Sequence, residues 1–458
     1  MKKTVKYNKI LALMGFCLLY ACEDFIDPDQ PGTQIVAEEV FNDKKMTEAA
    51  MAENYVRLRD RVLLNGNSTG LGVAMGLYTD ELQNWLVTNT YHQSLYTNTL
   101  TDSESAVKNL WDGSYQVIYQ CNRIIEGVSS STGIDPADKG VLLGEAYFVR
   151  TLVHFYLSQL WGAVPYVTGT DYTVNRSVSK TSETEMNKLL VADAEKALEL
   201  LEGAPSVNNY RPNAAVVSAL LARMHLYGKQ WQQALTYADE VIGSGRYKLE
   251  GDLSKVFLKE STGTLWQLRT GVEGSNTLEA QTYIFTSVPP PTLSLYSGLI
   301  SSFDPQDKRR ELWIAKPAGA AQDYYYSNKY RERQNTSASK EYSVVFRLEE
   351  LYYIRIEANF HLGNFQQALE DWNMLRERYG LELFSEIPQN WEVLLLQERR
   401  HEFFCEFGHR FFDLKRTGKL ASELVVAKPN WQSFFVNLPL PQSELLLNPN
   451  LLPQNEGY

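Results

Sequence analysis

The chain has 458 residues, 44% of them hydrophobic and 22% charged, and carries no low-complexity tract, a composition that buries a sizeable core and excludes disorder as the default state. Its formal net charge is -11, which excludes the basic footprint of a nucleic-acid binder. So acidic a chain also stays off anionic lipid unless a covalent group holds it there.

The first 21 residues read as an address. Lys2, Lys3, Lys6 and Lys9 form a basic n-region, and the apolar run from Ile10 to Ala21 is too short to span a bilayer comfortably. The run ends Leu19-Tyr20-Ala21-Cys22, which resembles a bacterial lipobox, although Tyr20 is bulkier than usual at its position. Residues 1–21 are therefore expected to be a lipoprotein signal peptide and Cys22 the lipidated residue, because two or more acyl chains make a stable anchor. Residues 22–40 read as a tether. Its acidic start, Glu23-Asp24-Phe25-Ile26-Asp27, resembles the signal that sends some lipoproteins to the outer face of the outer membrane. Pro28, Pro31 and Gly32 follow as linker. Of the remaining cysteines, Cys121 and Cys405 lie in apolar stretches read as helical and are expected to be buried free thiols.

The mature chain is predicted to be mostly helical. Helices are expected over 42–62, over 105–127, from Gly144 to Trp161 and over 184–201. The third is apolar nearly all round and so belongs in the middle of a helical stack. Gly162 and Pro165 end it. Thr181 or Ser182 is placed to cap the fourth. Two later segments, 215–242 and 352–376, share a pattern of helix, glycine turn, aromatic residue and second helix with small residues at four-residue steps. This is the tetratricopeptide pattern, in which small residues let paired helices approach closely. Two stretches break the helical period, 65–101 and 246–345, the latter rich in Gly, Ser, Thr, Pro and Tyr and holding a candidate strand at Thr264–Arg269. Loops this long inside a compact domain are usually functional.

Seven motifs, in order, resemble one family, the RagB/SusD proteins. They are Cys22-Glu-Asp-Phe-Ile-Asp27; Trp111, Tyr115, Ile118, Cys121-Asn122 and Ile124-Ile125; and Gly144-Glu145-Ala146-Tyr147-Phe148 with Arg150, leading to Leu160-Trp161-Gly162 and Val164-Pro165. Next come Ala219–Arg223 with Tyr227, Arg355 with Glu357-Ala358, and Gln397-Glu398-Arg399-Arg400 with Glu402-Phe403, Gly408, Arg410 and Asp413-Leu414. The chain closes with Leu438–Pro441, Asn448-Pro449 and Gln454–Tyr458. The resemblance implies one SusD-like domain over 41–458, an α/α superhelix with repeats at about 105–242 and 347–415, large irregular ligand-side insertions and a few short strands. The charged residues of these motifs, Glu145, Arg150, Arg399, Glu402, Arg410 and Asp413, read as ion pairs that lock helix crossings, since unpaired buried charges are costly.

No HExxH, P-loop or EF-hand pattern occurs, and no CxxC pair for zinc. The resemblance implies a binder and not an enzyme: a surface lipoprotein that captures oligosaccharide or polysaccharide and delivers it to a TonB-dependent, SusC-like outer-membrane transporter. Peptide capture, or less readily surface glycoside hydrolysis, is the alternative. No cofactor, metal or nucleic acid is expected. Sugar rings rest flat C–H faces on aromatic rings while polar side chains bond their hydroxyls. The candidate contacts are therefore Asp80, Asn84, Trp85, Tyr91, Tyr96 and Asn98 in the first irregular stretch, and Tyr296, Trp313, Tyr324 and Tyr325 in the second. Trp85 and Trp313 would stack, and Asp80, Asn84 and Asn98 would bond hydroxyls.

Overall fold

The computed structural model of the protein describes residues 37–205, 208–319 and 323–458. The signal peptide, Cys22 and nearly all of the tether lie outside the described residues. No helix among the described residues is long and apolar enough to cross a membrane.

The expected first helix is broken at Asp43 into α1 (Ala37–Asn42) and α2 (Lys44–Asp60). The Asp43 carboxylate accepts from the Met46 amide and so restarts the helix. Two 26-residue helices follow, α5 (Ser105–Ser130) and α6 (Pro136–Trp161), after two short ones, α3 (Leu71–Tyr78) and α4 (Thr90–Thr97). Helix α6 starts earlier than its apolar run, because Pro136 at the first helical position presets the backbone. From Phe148 onward it is buried almost without interruption between α5 and α8 (Glu183–Leu201), as a helix without a polar face requires. Gly162 stops it at φ +73°, and a Cβ there would sit 2.9 Å from the Asn437 amide. A short α7 (Tyr172–Asn175) intervenes, and the Ser182 hydroxyl caps α8 by accepting from the Glu185 amide.

The two repeat hairpins are α9 (Ala214–Tyr227) with α10 (Trp231–Gly243), and α14 (Leu348–Leu362) with α15 (Phe365–Tyr379). Although the insertion separates them in sequence, α10 packs directly on α14. The stack α5–α6–α8–α9–α10–α14–α15 is thus continuous, with small residues such as Ala219, Ala222, Ala234 and Ala238 fully buried at the crossings. The mostly helical superhelix implied by the motifs is the observed fold.

The insertion is less irregular than its composition predicts. It holds β2 (Thr264–Leu268), α11 (Leu278–Tyr283), β3 (Leu293–Leu295), α12 (Ser297–Ser302), α13 (Lys308–Trp313), β4 (Ile314–Ala315), β5 (Tyr326–Ser327) and β6 (Ser343–Arg347). Stretch 65–101 likewise contains α3, α4 and β1 (Leu82–Asn84). All eight residues of α3 are buried, so it has no polar face to show a helical period. Three two-stranded antiparallel pairs lace these segments together: β1 with β3, β2 with β6, and β4 with β5. The first pair joins the two stretches, Leu82 opposite Leu295 and Asn84 opposite Leu293.

The chain ends with α16 (Trp391–Phe403), α17 (His409–Arg416), α18 (Leu420–Leu424) and α19 (Gln442–Leu447). Cys121 and Cys405 are free and buried. Cys405, however, is not helical: it lies in the turn after α16 with φ +60°. Buried cations hold that turn. The Lys329 ammonium donates to the carbonyls of Glu402 (2.6 Å) and Phe404 (2.9 Å), and Arg347 donates to the Glu402 carbonyl at 3.0 Å. These bonds satisfy carbonyls that the helix end leaves orphaned.

The motif charges are paired as their setting demands. Arg150 forks onto Asp193, Arg399 and Arg416 share Asp413, and Glu145 accepts from Arg211 and the Tyr55 hydroxyl. Glu402 lies between Arg309 and Arg347. Burial alone would raise its pKa, but Arg347, Arg309 and Arg378 outweigh it and hold the carboxyl well below the usual range. Arg410 binds Asp80.

Candidate functional site

Pairing of β1 with β3 delivers Trp85 to the edge of the insertion. Its amide donates to the Thr292 carbonyl at 2.7 Å, and its indole N–H donates to the Ser294 hydroxyl at 2.9 Å. The half-buried ring stands edge-on to Tyr324, with centroids 5.0 Å apart and planes at 88°. One register step further, the Leu295 amide donates to the Tyr325 carbonyl (2.7 Å) and the Tyr296 amide to the Glu81 carbonyl (2.8 Å). Tyr96, at the end of α4, lies close enough to Tyr296 that the two phenols interact electrostatically; burial, then Tyr296, raises the Tyr96 pKa. Trp85, Tyr96, Tyr296, Tyr324 and Tyr325 are all half-buried. The structure thus draws five half-buried candidate rings from two stretches some 200 residues apart that β1–β3 pairing holds side by side, with Trp85 against Tyr324 and Tyr96 near Tyr296.

The other five candidates are corrections. Asp80 is 6% exposed; Arg410 forks onto its two oxygens at 2.9 and 3.0 Å, and Arg400 approaches at 2.9 Å. Burial would raise that carboxyl, but the two arginines prevail and hold it below its ordinary value. Asn84 is spent on the chain itself: its amide donates to Gln93 Oε1 (2.8 Å) and its oxygen accepts from the Leu86 amide (3.2 Å). Asn98 closes α4 in the left-handed region at φ +55° and donates to the Tyr78 carbonyl. Tyr91 is buried, which raises its phenol pKa. Trp313 is 1% exposed; its indole N–H donates to the Leu253 carbonyl at 2.9 Å and its ring packs on Phe257. All five are buried and engaged within the protein.

Sequence reasoning missed Lys428 and Ser294. The Lys428 ammonium sits 4.1 Å from the Tyr96 ring centroid and donates to the carbonyls of Leu77 (2.6 Å) and Tyr96 (2.8 Å). Burial pushes its pKa down to about 7, against the pull of Asp80. The signal available was Val425-Val426 just upstream, an apolar pair in a polar loop; Val426 is 85% exposed. Glu81, beneath the face, is pushed up to about 7 by burial, with Asp80 adding. No group of three or more His, Cys, Asp or Glu among the described residues could hold a metal ion.

The scaffold is a stack of helical repeats carrying two looped insertions. Residues 39–226 match the family model described as "Starch-binding associating with outer membrane", and residues 313–458 match the SusD family model. The chain belongs to the SusD/RagB family. A SusD-like protein of Formosa agariphila is 28% identical over 434 residues, covering 79% of this chain and 82% of that one. A SusD superfamily structure from Bacteroides vulgatus superposes with a TM-score of 0.80 at 21% identity, covering 91% of this chain and all of that one. A SusD-like carbohydrate-binding protein from Bacteroides fragilis gives 0.77 at 19% identity, covering 90% of this chain and 100% of that one.

Proposed function

We propose that this protein is a lipid-anchored glycan-binding protein of the outer-membrane surface, one that captures oligosaccharides without cleaving them. The observation that carries the reading is the half-buried Trp85–Tyr324 ring pair, held by β1–β3 pairing and by the Ser294 bond to the Trp85 indole. Rings ordered before binding lose little freedom when a sugar stacks on them. The similarity to a carbohydrate-binding SusD-like structure supports the same assignment. Burial of Asp80 and Glu81 beneath the face, the former clasped by two arginines, supports binding over bond cleavage.

The partner is a TonB-dependent barrel in the same membrane. What supports a protein partner is an apolar surface where α5, α7 and α19 meet: Tyr172 and Leu447 are each more than 70% exposed, and Tyr119 lies with them. Contiguous exposed apolar area of this kind marks interaction sites. Titration calorimetry of the mature protein against neutral and acidic oligosaccharides tests the ligand. Heat with at least one glycan, lost in Trp85→Ala, is the expected result. Silence against every glycan, or release of reducing ends over hours, would refute the reading. Labelling of Cys22 with a fatty-acid analogue tests the anchor.

A further inference from the structure

A second aromatic recess lies on the repeat scaffold and shares no residue with the Trp85 face. It has a volume of about 250 Å³ and opens among the α9–α10 turn, the end of α14 and the start of α16. Trp231, the first residue of α10, is stacked by His361 at 3.9 Å and 11°. Trp391, the first residue of α16, is stacked by Phe360 at 4.5 Å and 23°. Each indole is thus braced by a protein ring, and both line the cavity. Its floor is polar but internally neutralised: Arg416 donates to both oxygens of Glu357, at 2.5 and 2.8 Å, and to Asp413 at 2.8 Å. Both side chains of the Glu357–Arg416 pair are over nine-tenths buried.

Lys229 stands at the rim, and the second hairpin shows that its presence is not a folding requirement. Two residues before Trp231, Lys229 adopts φ +56°; two residues before Phe365, Gly363 adopts φ +80°. The same left-handed turn is made in both places, by the residue type suited to it in one and by a strained lysine in the other. Strain kept at a rim where glycine would serve points to a use for the side chain.

We infer that this recess is a second saccharide site, taking one or two sugar rings against Trp231 and Trp391, with hydroxyls bonded by Lys229 at the rim. The cavity is just below the size range of drug-like pockets, which suits so short a ligand. The inference rests on the glycan reading above but not on the Trp85 face.

The test is the indole N–H spectrum of the full mature protein titrated with maltose, cellobiose, laminaribiose, lactose and digalacturonate, in wild type, Trp85→Ala, Trp391→Ala and Lys229→Gly. Expected are shifts of the Trp231 and Trp391 signals with at least one disaccharide, persisting in Trp85→Ala. Trp391→Ala should weaken that binding about tenfold. Lys229→Gly should raise the melting temperature yet weaken binding, an opposition that a merely structural residue would not produce. If the Trp85 signal moves while Trp231 and Trp391 stay still, the recess is refuted and the face stands. If no signal moves with any sugar here and longer glycans give no heat either, both fall. Loss of the Trp231 and Trp391 response in Trp85→Ala would refute independence of the two sites.

Discussion

Around Glu402, charged and aromatic side chains are sealed: Arg309, Arg347 and Lys329 meet Glu402 and Glu406, and Trp313, Tyr353 and Phe403 fill the space between. Around Trp85, aromatic rings are left half-open, with Tyr324 edge-on to Trp85 and Tyr296 near Tyr96. The two regions differ in solvent access and in charge. In the sealed one, each charge has given up water and depends on its partner. In the open one, ring faces keep water that a ligand can displace.

Removing a sealed partner should do the most damage. Glu402→Ala removes the carboxylate that Arg309 and Arg347 share in the core, leaving Arg309 to Asp307 and Arg347 to Glu349 and Glu406, and is expected to cost about 3–5 kcal/mol, read as a lower urea midpoint. Trp313→Ala should cost a comparable ~3–5 kcal/mol by opening a cavity, with no direct effect on the glycan face. A melting temperature unchanged in either variant would show that the sealed region is not what holds the fold.

Titration separates the sealed groups by sign. The depressed pKa of Glu402 gives stability that is present above its unfolded value of about 4.3 and lost as pH falls through the folded one. Glu279, pushed up to about 7 by burial, does the reverse: its contribution is whole below about 4.3 and is lost as pH rises through 7. Stability measured from pH 4.5 to 8 should therefore fall less in Glu279→Gln than in wild type, by about 2 kcal/mol. Parallel curves would mean that Glu279 is ionised throughout.

The open region should lose function before stability. Trp85→Ala is expected to weaken glycan binding at least about tenfold while unfolding shifts by less than about 1 kcal/mol. The smallest effect belongs to Ser294→Ala, which frees the Trp85 indole; binding should drop by about twofold to tenfold, the worth of one hydrogen bond. Equal losses of stability and binding in Trp85→Ala would erase the distinction between the regions.

The helices of the stack were legible because each has a period. The steps of Leu110, Trp111, Val117, Ile118, Ile124 and Ile125 gave α5, and the matching turns before Trp231 and Phe365 gave the hairpins. Helix α3, apolar on every side, and the two- and three-residue strands carry too little periodicity to be seen, whereas the five-residue β2 was legible at Thr264–Arg269. The ion pairs of Arg150, Arg399 and Glu402 were foreseeable, since a charge inside an apolar helix needs a partner, but which partner was not.

By itself the sequence determined the helical periods, the repeat turns and the family motifs, all of which depend on neighbours a few residues away. Tertiary structure alone decided that Trp85 faces outward and Trp313 inward, that Asp80 belongs to Arg400 and Arg410, and that Trp231 and Trp391 share a recess. Side-chain exposure depends on where distant segments land. A tryptophan in a stretch without helical period reads the same whether it awaits a ligand or the Leu253 carbonyl.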